Sequence, residues 1–305
     1  MKYLFIILVF SIGLFAKTLT SNDVYSLSVL IKEQLHYLLK HYDIEYKHTL
    51  VKEQDRILVT KLKPRHTWQK TYEILAKINI QRDLYNLPRI QSVGIEASLS
   101  LDSAMVYEMN LRILAELKIL QVRSNIKMPQ FKKQEFRNKI LLDNYNVLVG
   151  ISAAFDDLNR HPFTPDDVFA EIMRIYDDIT IILNYLHIRD YTIPNNILLN
   201  ATPQDVFQIS FQILEKIAKI QASVGIENVD FSEFKKEIIR PSEVYTSTGL
   251  IIAELQTIKA FMGLSKSITP PAMAYKGKKP KNSEQLMRWN LKRLELIERL
   301  YKREN

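Results

Sequence analysis

The chain has 305 residues, of which 47% are hydrophobic and 25% charged, with seven glycines and no cysteine. Without cysteine there is no disulfide, no thiolate metal ligand and no thiolate nucleophile, and so little glycine argues against a turn-rich β fold. The formal charge is +8, but residues 276–305 hold ten Lys/Arg against four Glu. The basic balance therefore belongs to the tail, and a nucleic-acid-binding body is not indicated.

Residues 1–16 read as a secretory signal peptide. Lys2 gives a positive start, positions 3–16 are almost unbroken apolar, and the chain turns polar at Lys17. The run is short for a bilayer span, which needs about 20 residues. Cleavage after Ala16 and a periplasmic location are expected, with an uncleaved anchor as the alternative.

From position 17 onward one phrase recurs. A capping residue or proline precedes an apolar–aromatic pair in Thr20…Val24-Tyr25, Thr164-Pro165…Val168-Phe169, Thr202-Pro203…Val206-Phe207 and Pro241…Val244-Tyr245. Looser copies end in Trp68 and in Val106-Tyr107. Six positions after each aromatic stands an isoleucine (Ile31, Ile74, Ile113, Ile175, Ile213, Ile251), and ten after it an aliphatic. Both fall on one stripe of a 3.6-residue helix. The residue nine after it is always polar (Gln34, Lys77, Glu116, Asp178, Lys216, Glu254) and is expected off the stripe, in water. Thr caps, Pro in the first turn and Asp or Glu two residues after the Pro all mark helix starts.

The pattern predicts helices over about 21–46, 64–87 and 102–125, an unsigned helix over 131–158, and three more after Thr164, Thr202 and Pro241. A short helix is expected over 231–238 and an extended stretch at 56–60. Residues 64–126 and 202–264 look like matching helix pairs. The fold class is all-α: an antiparallel bundle or a short solenoid-like array of about six related helices, plus a C-terminal amphipathic helix. The expected division is an all-α repeat domain over 17–267, a basic Pro/Lys linker over 268–282 and the terminal helix over 283–305.

Chemistry is sparse. His36, His41 and His48 lack the spacing of a helical zinc pair. The doublets Asp156-Asp157, Asp166-Asp167 and Asp177-Asp178 fit helix ends and an exposed face better than paired acid–base work. No phosphate-cradling loop or nucleophile elbow occurs. No catalytic residue, cofactor or metal is predicted. The aromatics Tyr25, Trp68, Tyr107, Phe169, Phe207 and Tyr245 are candidates for a pocket lining or, preferably, a structural staple. The terminal helix, with Arg288, Trp289, Lys292, Arg293 and Leu294, is the candidate partner-binding element. Its basic amphipathic face also suits an anionic membrane.

The expected function is a non-catalytic scaffold or adaptor for protein partners in the cell envelope, without nucleic acid. The alternatives are a small-molecule or lipid-binding bundle and, less favoured, a cell-wall hydrolase.

Overall fold

The structure is a computed structural model. It describes residues 18–44, 59–60, 62–90, 101–127, 129–160, 163–227, 229–231 and 239–303. The expected signal segment, His48, Gly94 and residues 232–238 of the expected short helix lie outside the described residues.

Among the described residues there are eight α-helices: α1 (Ser21–His41), α2 (Pro64–Leu84), α3 (Ser103–Arg123), α4 (Leu141–Asn159), α5 (Pro165–Tyr185), α6 (Pro203–Ser223), α7 (Pro241–Phe261) and α8 (Pro280–Arg303). The strands β1 (Val59–Thr60) and β2 (Asp230–Phe231) form one short antiparallel pair. β1 ends the stretch expected to be extended.

The six signed helices α1, α2, α3, α5, α6 and α7 are each 21 residues long. Their starts are built as the sequence implies. Thr164 Oγ1 accepts from the Asp167 amide while the Asp167 carboxylate accepts from the Thr164 amide. Thr202 and Asp205 repeat the exchange. Their ends follow an equally regular rule. Asp43, Asn86, Asn125, His187, Gly225 and Gly263 each take a left-handed conformation two residues past the helix. The next amide then donates back to the carbonyl five residues earlier, as Ile226 does to Gln221 at 2.9 Å and Ile188 to Leu183 at 2.9 Å. This is the Schellman ending, closed by an apolar residue. The partner of Gly225 in the earlier pair is thus Asn86, not Gly94.

The helices form two four-helix bundles. In the first, α1 and α2 each pack on α3 and α4; in the second, α5 and α6 each pack on α7 and α8. The two units share one connectivity, so the chain is an internal duplication at the level of structure. The matching of 64–126 with 202–264 is its visible part, α2–α3 against α6–α7.

The expected antiparallel order does not hold within a bundle. Pro165, Pro203, Pro241 and Pro280, the first residues of α5 to α8, line one small cavity. In the first bundle Asn144 near the start of α4 donates to the Ser21 carbonyl at the start of α1, and Gln81 and Asn159 meet at the far ends of α2 and α4. All helices of a bundle therefore run parallel. The reason is the length of the connections. A 21-residue helix is about 32 Å long, and a loop such as 186–202 reaches roughly 55 Å when extended, enough to return to the starting end. The direction reverses between α4 and α5, which just five residues (160–164) separate. The bundles accordingly lie antiparallel across α2 and α7, where Arg65 meets Glu254 and Glu73 meets Thr246.

Several boundaries differ from expectation, the first being that α1 ends at His41 rather than near 46. α4 begins at Leu141 rather than near 131, because residues 129–140 return along the bundle as an extended connection. α8 is not a separate element; it is the fourth helix of the second bundle. The stripe itself is as expected: the six isoleucines and the six aliphatics four residues beyond them are all at 0% exposure.

Candidate functional site

The polar residue of the repeat is the main departure from the sequence reading. Gln34, Lys77, Asp178 and Glu254 are buried rather than hydrated. Counting from the first helical residue, each occupies position 14 and reaches a neighbouring helix near its position 19. Gln121 of α3 donates to Gln34 of α1 at 3.5 Å. Arg82 of α2 pairs with Glu116 of α3. Lys77 of α2 meets Asp156 of α4 at 2.7 Å. In the second bundle Lys259 of α7 meets Asp178 of α5 at 2.6 Å, Gln221 of α6 donates to Glu254 of α7 at 2.7 Å, and Lys216 of α6 meets Glu298 of α8 at 2.6 Å. The stripe thus carries a polar rung just beside it, duplicated with the bundles. The 0%-exposed Asp178 also corrects the expectation that its doublet straddles a wet face.

A second polar cluster joins the bundles. The Glu73 carboxylate accepts from Lys70 Nζ at 2.6 Å, Ser152 Oγ at 2.5 Å and Thr246 Oγ1 at 2.9 Å. Burial alone would raise its pKa; Lys70 and Lys77 outweigh that and hold it at about 2. At the other end of the contact, Glu254 accepts from Arg65 Nε at 2.8 Å and from His66 Nε2 at 2.6 Å. Here too burial is outweighed, by His66 and Arg65, and Glu254 stays at about 2. His66 sits where other helices carry a capping carboxylate. Its Nδ1 accepts the Lys63 amide at 3.0 Å, so its one proton belongs on Nε2, facing Glu254. Burial lowers its pKa, which fits the neutral ring. In the Asp178–Lys259 pair burial pushes the carboxyl up and the ammonium down, against the attraction between them.

The six aromatics do not converge. Tyr25 packs edge-on against Phe136 with Lys139 4.4 Å over its ring, and Phe169 meets Tyr275 and Lys278 (4.3 Å) in the same way. Each pins the last long connection of its bundle to the first helix. Trp68 stacks on Tyr72, Tyr107 takes Lys133 over its ring, Phe207 meets Phe211, and Tyr245 stacks on Phe163 at 3.7 Å. The cavity at the start of α5–α8 is apolar and about 10 Å³, about the room for one water.

The candidate tail residues divide. Arg293 and Leu294 are buried. The Arg293 guanidinium lies 3.8 Å over Tyr176 and donates to Asp190 and Thr180. With α8 in place neither faces a partner. Trp289 is half-buried, its Nε1 donating to Thr192 Oγ1 at 2.9 Å; Lys292 is half-buried and Arg288 exposed. Among the described residues, no three His, Asp or Glu side chains come together as metal ligands. No described helix is long and apolar enough to cross a membrane.

These features define a class by architecture: a duplicated, parallel four-helix bundle with buried polar rungs. No family model matches the chain, and neither a curated protein nor a solved structure matches it.

Proposed function

We propose that the protein is an exported, non-catalytic adaptor that binds other proteins of the cell envelope. The observation that carries this reading is the outer face of α3. Leu111, Ala115, Ile119 and Val122 form a stripe at spacings of four, four and three, and all four are exposed, Val122 to 78%. α3 packs on α1 and α2 alone among the described elements. A solvent-facing apolar helix stripe is the usual form of a helix-docking surface. The non-catalytic part is supported by the buried charges, which are engaged in helix–helix and bundle–bundle bridges instead of facing a cavity. Export is supported by the apolar run at 1–16.

The test places a photoreactive amino acid at Val122 in living cells. A single reproducible envelope protein is expected in the adduct. Its purified form should bind the chain, and Ile119→Asp should abolish that binding without lowering the melting temperature. No adduct at Val122 in a folded protein, or an adduct only with cytoplasmic proteins, overturns the reading. Mass spectrometry of the purified protein's N-terminus checks cleavage after Ala16.

A further inference from the structure

The connection between α5 and α6 is a second exposed apolar surface, unlike the α3 stripe in form. Its path is fixed by α8. Arg293 donates to Asp190 at 2.7 Å, Trp289 to Thr192 at 2.9 Å and Gln285 to the Asn195 carbonyl at 2.6 Å. Residues 190–195 therefore run antiparallel along that helix. Extended backbone sends successive side chains to opposite sides. Thr192 turns to α8, so Tyr191 and Ile193 turn outward, each 73% exposed; Leu199, further along, is 74% exposed.

The rim of this ridge is basic. α8 carries seven Lys/Arg against three Glu. Lys292 Nζ lies 3.5 Å from the Ile193 carbonyl oxygen, and Arg189, which precedes Asp190 in sequence, is exposed. The nearby acids are matched: Asp190 by Arg293 and Glu284 by Arg288.

We infer that this ridge docks the protein onto an anionic lipid surface. Tyr191, Ile193 and Leu199 enter the boundary between headgroups and acyl chains, and Arg189 and Lys292 meet the lipid phosphates. Side chains three-quarters exposed protrude from the surface, which suits a soft bilayer better than a shaped protein partner. Tyr belongs at such a boundary, with its ring in the apolar part and its hydroxyl in water. The mode differs from that of an isolated amphipathic helix. The apolar face of α8 is buried in the bundle, so α8 contributes cations and the connection contributes the anchors. The inference does not depend on the α3 stripe having a partner.

The absence of cysteine permits a direct test on the full chain. Ile193→Cys, and Val122→Cys as control, are labelled with an environment-sensitive fluorophore. Each is mixed with vesicles of phosphatidylcholine alone or with phosphatidylglycerol added. A blue shift is expected at 193 only, and only with phosphatidylglycerol. The double change Arg189→Glu, Lys292→Glu should weaken vesicle binding at least tenfold at unchanged circular dichroism. No shift at 193 with either vesicle overturns the inference. An equal shift with both vesicles overturns the role of charge. A shift at 193 with envelope proteins but not with vesicles assigns the ridge to a protein instead.

Discussion

Position 14 carries opposite charges in different helices, and the group it meets on the neighbouring helix is opposite in turn. Asp178 is an acid held by Lys259, Gln256 and Thr269, whereas Lys77 is a base held by Asp156 and Ser152. Removing one partner of such a pair leaves a charge in a dry interior. Asp178→Ala should therefore cost about 3–5 kcal/mol, read as a lower urea midpoint. Replacing both members, Asp178→Leu with Lys259→Met, should recover most of that loss. His66 makes a different prediction. Its folded pKa is lowered from 6.5, so the unfolded chain takes up the proton first. Stability should be full above pH 6.5 and fall as the pH drops below it. Urea midpoints between pH 7.5 and 5 should show this slope, and His66→Gln, which keeps an acceptor for the Lys63 amide, should flatten it. Glu254 acts lower. Held at about 2 against an ordinary 4.5, it contributes stability above pH 4.5 that is lost as the pH falls toward 2.

At the scale of the element, each signed helix is a cassette with a written start, a written stripe and a written stop. The start and stripe are legible in the sequence because capping chemistry and a 3.6-residue period leave fixed residue types at fixed spacings. The stop is written too, as Asp-Ile, Asn-Leu, Asn-Ile, His-Ile, Gly-Ile and Gly-Leu, but only the left-handed conformation unites those six pairs. Searching for Gly-Ile alone finds Gly94 and misses Asn86. The stop also sets a test. His187 bears a side chain at φ 54° where Gly225 and Gly263 do not. His187→Gly should stabilise by about 0.5–1 kcal/mol, while Gly225→Val should destabilise by at least about 1 kcal/mol, both from urea titration. Position 14 is less legible. A polar residue beside an apolar stripe reads as solvated on one helix, and only a second helix with a group near position 19 makes it a buried rung.

At the scale of the molecule, the two bundles meet where α2 crosses α7, and the meeting depends on a small residue. A Cβ added to Gly249 would lie 3.0 Å from Gln69 Cγ, with Thr246 and Glu73 bonded nearby. Gly249→Leu forces the helices apart. The two bundles should then unfold in two calorimetric transitions where the parent shows one, while each retains its helical circular dichroism. The sequence shows the duplication through its repeated aromatics but conceals helix direction, because an amphipathic stripe reads the same in either sense. The direction lies in the seventeen or more residues between helices, whose length is visible and whose path is not.

Those long returns have a consequence for how the chain reaches its fold. In a bundle whose helices all point the same way, no two successive helices can zip together as a hairpin. Every pairing must first close a loop, and α1 meets α4 only after most of its unit is present. Such contacts are far apart in sequence, and closing them before any packing gain slows refolding to the millisecond-to-second range. Yet neither unit borrows a helix from the other. The first can close once residue 159 is available, while the second is still being made, and its closed surface of α2 then becomes the template on which α7 assembles.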